Sequence, residues 1–306
     1  MSGGVFTTLF ALGVALAAPL LWAALGELII EQSGVLNIGI EGVMLIGAFG
    51  CAYAYVRSGS MVAGIATAMG CGAACGLVLA LLYVRLGADQ IVTGILFSVI
   101  ALAGTTVLAD RLLGTDVAEK TGQLDIPGLS EIPFFGTVLF SQDPLVYAAI
   151  VAVPLVSYLM SGTWFGLYVR AIGARPRAGE TAGIGVRALR TWALVIGCVL
   201  TAIGGASLVV ATSGGFSPNL TAGRGFIALA VVVLARWKPL WAAAAALLFG
   251  VAQALQFVAD ELGFLAHVPS DVLLMLPYLL TVVAVVFAAG SRYPAACGVP
   301  YRPGSA

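Results

Sequence analysis

Charged side chains are scarce in this chain of 306 residues. Only 9% of the residues are Asp, Glu, Lys or Arg, whereas 61% are hydrophobic, and the mean hydropathy is +1.07. A soluble domain carries about 25% charged residues and uses them to cover a surface that faces water. The composition therefore excludes a water-soluble globular protein and predicts one whose surface is solvated by a lipid bilayer.

Several kinds of functional site are also missing. The single histidine, His267, and five cysteines without CxxC spacing give no metal-binding pattern. Acidic and basic residues are balanced at 14 each, which argues against a nucleic-acid surface. Neither a GxxxxGKS/T phosphate loop nor HExxH or GxSxG occurs, so the sequence predicts no enzyme. The first apolar run lacks a preceding basic region, and we expect it to be retained as a helix.

Apolar stretches recur at lengths that suit a membrane, since a spanning helix needs about 20 mainly apolar residues. We predict an all-α polytopic membrane protein with about nine transmembrane helices in a single domain, 1–306. Its parts are a first half (1–160), a loop (161–191), a second half (192–290) and a tail (291–306). The predicted spans are 5–25, 35–56, 61–84, 91–108, 145–160, 192–210, 224–234, 240–258 and 272–289.

Basic residues are concentrated in one set of loops. The 161–191 loop holds five arginines against one acid, Glu180, whereas the loops 110–143 and 260–271 are mainly acidic. Lys and Arg accumulate on the cytoplasmic side of membrane proteins. We therefore predict a multi-pass protein of the bacterial inner membrane with its N-terminus outside and its C-terminus in the cytoplasm.

A first polar interruption of the apolar pattern spans 26–42 and reads GELIIEQSGVLNIGIEG. Carboxylates within a membrane are costly unless they face a cavity or a partner, so they indicate a functional site. Glu27 and Glu31 form an i,i+4 pair, for which the simpler interpretation is a position at the cytoplasmic interface. Asn37 and Glu41 share one helical face, which favours a polar cavity or a buried ion pair.

A second interruption, 213–225, reads SGGFSPNLTAGRG. Non-helical backbone survives at membrane depth only where protein or water satisfies its amides. Both interruptions place an asparagine before a charged residue, a glycine and an apolar run, as an inverted repeat with broken helices would. Chance similarity is the alternative. We expect Glu41 and Arg224 to pair or to share a cavity, unless Arg224 snorkels to the outer interface.

The arginine-rich loop contains the segment VRAIGARPRAGETAGIGV, 169–186. Pro176 can begin a helix, because its missing N–H is no loss at the first position. Gly183 and Gly185 can end that helix. A short helix with arginines and the small residue Ala178 suits a groove on another protein. An ordinary basic loop would explain the arginines but not the Gly-Pro-Gly spacing.

The chain resembles the permeases of ABC importers for simple sugars, branched-chain amino acids and nucleosides. It is most similar to the nucleoside branch, which depends on a basic membrane lipoprotein. The similar stretches are GELIIEQSGVLNIGIEGVMLIGA from Gly26, ADQIVTGI from Ala88, VRAIGARPRAGETAGI from Val169, NLTAGRGFIALA from Asn219, MLPYLLT from Met275 and YPAACGVPY from Tyr293.

The resemblance implies a transport subunit that has no cofactor of its own and is not an enzyme. ATP and Mg would bind to a partner ATPase subunit, and the other partners would be a second, usually different permease chain and an extracytoplasmic solute-binding lipoprotein. At Gly179 the family usually has alanine, and glycine there should soften the helix by about 1 kcal/mol. The implied coupling residues are Arg170, Gly173, Arg175, Pro176, Arg177, Ala178, Glu180, Gly183 and Ile184.

A neutral nucleoside would suit a pathway that offers amide and hydroxyl hydrogen bonds and aromatic packing. Two alternatives are a ribose-type sugar permease and a proton- or sodium-coupled secondary transporter with Glu41 as its coupling carboxylate. The candidate pathway residues are Asn37, Glu41, Gln90, Thr93, Phe97, Asn219, Arg224 and Phe226.

Overall fold

The computed structural model describes residues 2–114, 124–125, 130, 132, 134–212, 215–259, 268, 270–287 and 293–301. These residues are mostly helical, which confirms the predicted all-α class. The helices are α1 (Ser2–Gln32), α2 (Ile40–Ser58), α3 (Met61–Ala80), α4 (Gln90–Leu112), α5 (Phe135–Leu139), α6 (Pro144–Gly162), α7 (Trp164–Ala174), α8 (Pro176–Thr181), α9 (Val186–Thr212), α10 (Arg224–Leu234), α11 (Pro239–Val258) and α12 (Ser270–Phe287). A π-helical turn, Leu81–Arg85, follows α3, and two-residue strands, β1 (Leu124–Asp125) and β2 (Ser141–Gln142), pair antiparallel.

Seven helices in the described part of the chain are long and apolar enough to cross a membrane: α1, α2, α3 with its π turn, α4, α6, α9 and α11. The apolar helices α10 and Val272–Ala284, within α12, are shorter. Each of the nine predicted spans overlaps a helix of the described residues, but only seven of these helices are long enough to cross a membrane.

Three predicted boundaries are wrong by five residues or more, and the first is the start of α2, which lies at Ile40 rather than at 35. Helix α1 continues to Gln32, so the first interruption is confined to residues 33–39, which we call the first break. Helix α9 begins at Val186 rather than at 192, so Arg190 belongs to the helix and not to the loop. The extensions of α1 and α9 add residues with good helix propensity, such as Glu and Arg, which the sequence analysis assigned to loops because they are polar.

Helices α1 and α9 form the centre of the molecule, and glycines allow their close approach. A Cβ at Gly26 would overlap with the carbonyl oxygen of Gly197, and one at Gly205 would overlap with that of Met44 in α2. Small residues at membrane-helix interfaces permit such backbone contacts. Helix α4 instead exposes a long apolar face, which leaves it at the periphery of the monomer.

Some sequence predictions fall outside the described residues. They concern much of the acidic 110–143 and 260–271 loops and both ends of the tail 291–306, and they include Asp116, Glu119, Glu131, Asp260, Glu261, His267, Arg292 and Arg302.

Candidate translocation site and coupling surface

The first break is held by side chains from the helices around it. The backbone N–H of Asn37 donates to Oε1 of Glu27 at 3.0 Å, and that of Leu36 donates to Oε1 of Gln90 at 2.7 Å. Glu27, Asn37 and Gln90 are all buried. Backbone that leaves the helix in a membrane needs such acceptors, because lipid supplies none.

Glu31 anchors the other end of the first break. Its Oε2 accepts a hydrogen bond from Nε1 of Trp237 at 2.5 Å, while Nε2 of Gln32 donates to the Trp237 carbonyl at 2.7 Å. Glu27 and Glu31 are 0% and 1% exposed. The protein therefore encloses both carboxylates and shields them from solvent, and their position at the cytoplasmic interface stays a prediction.

Several polar atoms near the first break keep unused hydrogen-bonding capacity. Oε2 of Glu27, both side-chain polar atoms of Asn37, the Tyr83 hydroxyl and Nε2 of Gln90 are buried and have no partner. Tyr83 lies on the π-helical turn, a feature that is frequent at functional sites. Buried polar atoms are nearly always hydrogen-bonded, so this concentration marks the first break as a polar centre.

The second break comprises the described residues 215–223, and one carboxylate holds it. Oε1 of Glu41 accepts from the Thr221 hydroxyl at 2.5 Å and from the Gly223 amide at 2.8 Å. Its Oε2 accepts from the Gly225 amide at 2.7 Å. Gly223 has a φ of +79° and supplies no side-chain cap to α10, so Glu41 caps this helix from α2.

The position of Glu41 explains how its charge is stabilised without a direct ion pair to Arg224, whose charge acts on it only through space. It is the second residue of α2, and its carboxylate also binds the first turn of α10. Both helices direct the positive end of their dipole toward this carboxylate. Gly225 makes the approach possible, because a Cβ there would lie 2.8 Å from the Glu41 Cα.

Arg224 does not form the predicted ion pair with Glu41; no such pair occurs among the described residues. Its Nη1 donates to the carbonyl oxygens of Leu220 at 3.1 Å and Thr221 at 3.4 Å. The guanidinium thus binds carbonyl groups of the second break, while Glu41 binds the amides of Gly223 and Gly225. Sequence reasoning placed the two residues in the same region but missed the backbone as the partner of each.

A cavity of about 230 Å³ opens beside the second break. It is lined by Glu41, Asn219 and Phe226, which the sequence analysis selected, and by Thr221 and Ser98, which it missed. The hydroxyls of these two residues carried no distinguishing pattern in the sequence. The other lining residues are Leu45, Ile95, Val99, Leu102 and Gly223.

The remaining pathway candidates lie elsewhere. Asn37 and Gln90 are buried at the first break, and Arg224 is absent from the cavity lining. A Cβ on Gly39 would lie 3.3 Å from the Phe97 ring, so this ring packs on the first break. Thr93 is half-buried in the first turn of α4 and does not line the cavity.

The predicted helix in the arginine-rich loop is present. Helix α8 begins at Pro176, and its end is followed by Gly183 with a φ of +80°. The amides of Gly183 and Ile184 donate to the carbonyls of Glu180 and Gly179 at 3.0 and 2.9 Å. Six of the predicted coupling residues are exposed: Arg170, Arg175, Arg177, Ala178, Glu180 and Gly183.

The preceding helix, α7, was not predicted. The Thr163 hydroxyl caps it by accepting from the Gly166 amide at 3.2 Å. Gly173, near the end of α7, is buried, and a Cβ there would overlap with the Gln32 carbonyl oxygen of the first break. Gly173 is therefore a contact inside the chain, which corrects its assignment to the exposed docking surface.

The described C-terminal segment, 293–301, packs against the same region. The Ala296 amide donates to the Gly173 carbonyl at 2.9 Å, and Nε of Arg190 donates to the Ser33 carbonyl at 3.1 Å. Burial raises the pKa of Tyr293 to about 12 and that of the Cys297 thiol still further, so both groups stay neutral at physiological pH.

A groove of about 570 Å³ separates α8 from this segment. Arg175, Pro176, Arg177 and Ala178 form one wall, and Val299, Pro300 and Tyr301 contribute to the other. A groove of this volume can accept side chains, and the segments that form its walls are joined by the hydrogen bond from Ala296 to Gly173.

Comparison with known proteins decides the family. The sequence profile described as branched-chain amino acid transport system / permease component matches residues 9–285. The chain belongs to this family of ABC importer permeases. The guanosine ABC transporter permease protein NupQ of Bacillus subtilis is 35% identical over 302 residues, 94% of each chain. The nucleoside ABC transporter permease protein NupC of Lactococcus lactis is 34% identical over 296 residues, 93% of each chain.

Two further similarities extend the comparison. The glucose ABC transporter permease protein TsgB13 of Haloferax volcanii is 25% identical over 257 residues, 77% of this chain and 66% of its own. A solved ABC transporter assigned to the metal-chelate type, in an inward-facing conformation, matches with a TM-score of 0.50 at 17% identity and covers 92% of this chain and 85% of that one. This permease is therefore a membrane transport component rather than an ATPase, and its family implies an ATPase and a binding protein as partners.

Proposed function

We propose that this permease imports nucleosides and that the cavity at the second break belongs to the translocation pathway. Two relatives named for guanosine or nucleoside transport match over nearly the whole chain, which supports the substrate class. The single observation that carries the pathway is the cavity lined by Glu41, Asn219 and Phe226. An exposed amide and an exposed ring can bind the polar edge and the face of a nucleobase.

Glu41 acts in this proposal as a support for the pathway and not as a charge that meets the substrate. Two of its three hydrogen bonds come from the second break, and the third comes from the first turn of α10. A neutral solute can then be bound by Asn219 and by the Ser98 hydroxyl, while the buried Thr221 hydroxyl stays bound to Glu41. This arrangement argues against the alternative in which Glu41 carries a proton or sodium ion.

We also propose the finer architecture predicted from the sequence. Counting α10 and α12 with the seven long helices gives nine crossings, with the N-terminus outside and the C-terminus in the cytoplasm. Helices α2 and α10 would correspond in an inverted repeat, which their facing first turns support. The halves would be 1–160 and 192–290, joined by the loop.

The surface of α8 would be the coupling surface for the partner ATPase, which would bind ATP and Mg. Arg175, Arg177 and Ala178 are exposed on one wall of the 570 Å³ groove. The same wall reaches the first break through Gly173, which gives movements at the ATPase a short path into the membrane helices. A second permease chain would complete the pathway against the exposed side of the cavity, and a solute-binding lipoprotein would deliver the substrate.

Uptake by the assembled importer in proteoliposomes tests this proposal. We expect labelled guanosine to accumulate only with internal ATP and the binding lipoprotein, and to do so after sodium and proton gradients are collapsed. Uptake that follows either gradient without ATP would contradict ATP-driven import.

A sugar permease is the second candidate function, because relatives named for glucose transport match the chain. Competition separates the two candidates. Excess unlabelled nucleosides should block guanosine uptake, whereas ribose and glucose should not. The opposite order of competition would favour the sugar.

A further inference from the structure

Two adjoining cavities, each of about 270 Å³, flank the turn between α10 and α11. They share three lining residues, Gln32, Arg170 and Trp237. Arg236 lines one cavity and Lys238 the other. We call the two together the basic interfacial cavity; it adjoins the groove along α8, and Ala174 lines both.

Three cations converge on this cavity without a counter-charge. Arg170, Arg236 and Lys238 are exposed, and no acidic residue lines either part. None of the three forms an ion pair within the described ranges of the chain. Their positive charge is therefore available to an anionic ligand.

The turn that presents two of these cations is strained and firmly held. Arg236 and Trp237 have φ values of +50° and +57°, which non-glycine residues rarely adopt. Glu31 and Gln32 bind Trp237 through its ring nitrogen and its carbonyl, and the Tyr293 ring packs edge-on at 4.7 Å. Strained backbone persists where its surroundings hold it, and it recurs at ligand clamps.

One rim of the cavity is apolar and aromatic. Leu240 and Trp241, on the first turn of α11, are 70% and 63% exposed. The end of α6, with Met160, forms the facing wall. Tryptophan is enriched where membrane helices meet the headgroups, so an exposed tryptophan at this rim suits a position at the interface of the bilayer. A ligand that fits both features has an anionic head and apolar chains.

We propose that the basic interfacial cavity binds the headgroup of an anionic phospholipid, with its acyl chains along Leu240 and Trp241. Basic pockets between membrane helices on the cytoplasmic side bind such headgroups. A free phosphate would match the cations but leave the apolar rim unused. An acidic partner protein fits less well, because α8 with its own groove is the better protein-docking surface.

Lipid retention by the assembled importer tests the site. The complex is placed in nanodiscs of phosphatidylcholine and phosphatidylglycerol, extracted in detergent, and the phosphatidylglycerol that stays bound is counted by native mass spectrometry. Each basic residue near an anionic surface changes binding about fivefold. Arg170→Gln with Lys238→Gln should therefore lower the relative affinity for phosphatidylglycerol by about 25-fold.

Matched variants separate the site from general charge. Arg85→Gln removes an exposed arginine outside the cavity and should retain the lipid. Arg170→Lys with Lys238→Arg keeps both charges and should restore most of the binding if the glutamine variant loses it for electrostatic reasons.

Three results would overturn the proposal. One is equal phosphatidylglycerol retention by the glutamine variant and the parent. Another is displacement of the bound lipid by excess inorganic phosphate alone, which would indicate a free-anion site. The third is loss of the ATPase subunit from the glutamine variant with lipid retention unchanged, which would assign these cations to a protein contact.

Discussion

The first break, 33–39, and the second break, 215–223, are each held by a glutamate from a neighbouring helix, but they differ in what surrounds them. Glu27 accepts one amide at the first break and is fully buried. Glu41 accepts two amides and a hydroxyl at the second break, beside an open cavity. The first break is tied to the loop and the C-terminal segment, and the second contacts the proposed substrate pathway. In the proposed function, similar sequence patterns serve transmission at one site and passage at the other.

The largest effect should come from filling the contact between the loop and the first break. Gly173→Val would force a side chain into the Gln32 carbonyl oxygen. Because this oxygen belongs to the backbone, relieving the overlap would require a backbone shift, which is destabilising. We expect the variant to lose most of its folded yield in detergent, measured by size-exclusion chromatography. Ala178→Val is the matched control: it enlarges an exposed residue and should fold normally while reducing substrate-stimulated ATP hydrolysis. Equal, normal yields for both variants would show that Gly173 is not an internal contact.

The next effect concerns the second break. Glu41→Gln removes a charge and at least one acceptor, so a buried amide of the second break loses its partner. Hydrogen bonds to charged groups contribute about 1.5–3 kcal/mol. We expect a loss of that size in thermal or denaturant stability, together with at least tenfold slower nucleoside uptake. A variant with full uptake and unchanged stability would show that Glu41 does not hold the second break.

The same substitution at the first break should do less. Glu27→Gln can keep the bond from Asn37 through its amide oxygen, because only one carboxylate oxygen is used. We expect less than about 1 kcal/mol of destabilisation, since the new amide group replaces an unpartnered oxygen. If Glu27→Gln is as damaging as Glu41→Gln in the same stability assay, the two breaks do not differ in the way described.

The order of these effects shows what the sequence could predict. The apolar runs located the seven long apolar helices of the described residues, because spanning requires length and apolarity that few soluble sequences have. Pro176 and Gly183 located α8 by their backbone restrictions. The partners of Glu31, Glu41 and Gly173 could not be predicted, since each depends on residues more than 100 positions away in the chain. The ion pair with Arg224 was wrong for the same reason: charge pairing can be read from a sequence, but a helix N-terminus that replaces the cation cannot.

The smallest effect should be that of Gly179→Ala in α8. Alanine favours a helix by about 1 kcal/mol over glycine, but its Cβ would lie 3.0 Å from Cγ2 of Ile172. Because this methyl group is at the end of a side chain, it can shift at a small steric cost. We expect that cost nearly to cancel the gain in helix propensity. We expect a change in melting temperature of no more than a few degrees and unchanged ATP-driven uptake. A large loss would mean that Ile172 cannot move.

The most direct test of the account compares thiol labelling at the two breaks. Asn219→Cys and Asn37→Cys would be made in a background in which the half-buried Cys71 and Cys297 are replaced, and treated with a membrane-impermeant maleimide in the assembled importer. Asn219 is exposed beside the cavity, whereas Asn37 is fully buried. We predict that Cys at 219 reacts, that a bound nucleoside slows this reaction, and that Cys at 37 reacts in neither case. Nucleoside-protected labelling at 37, with none at 219, would contradict it.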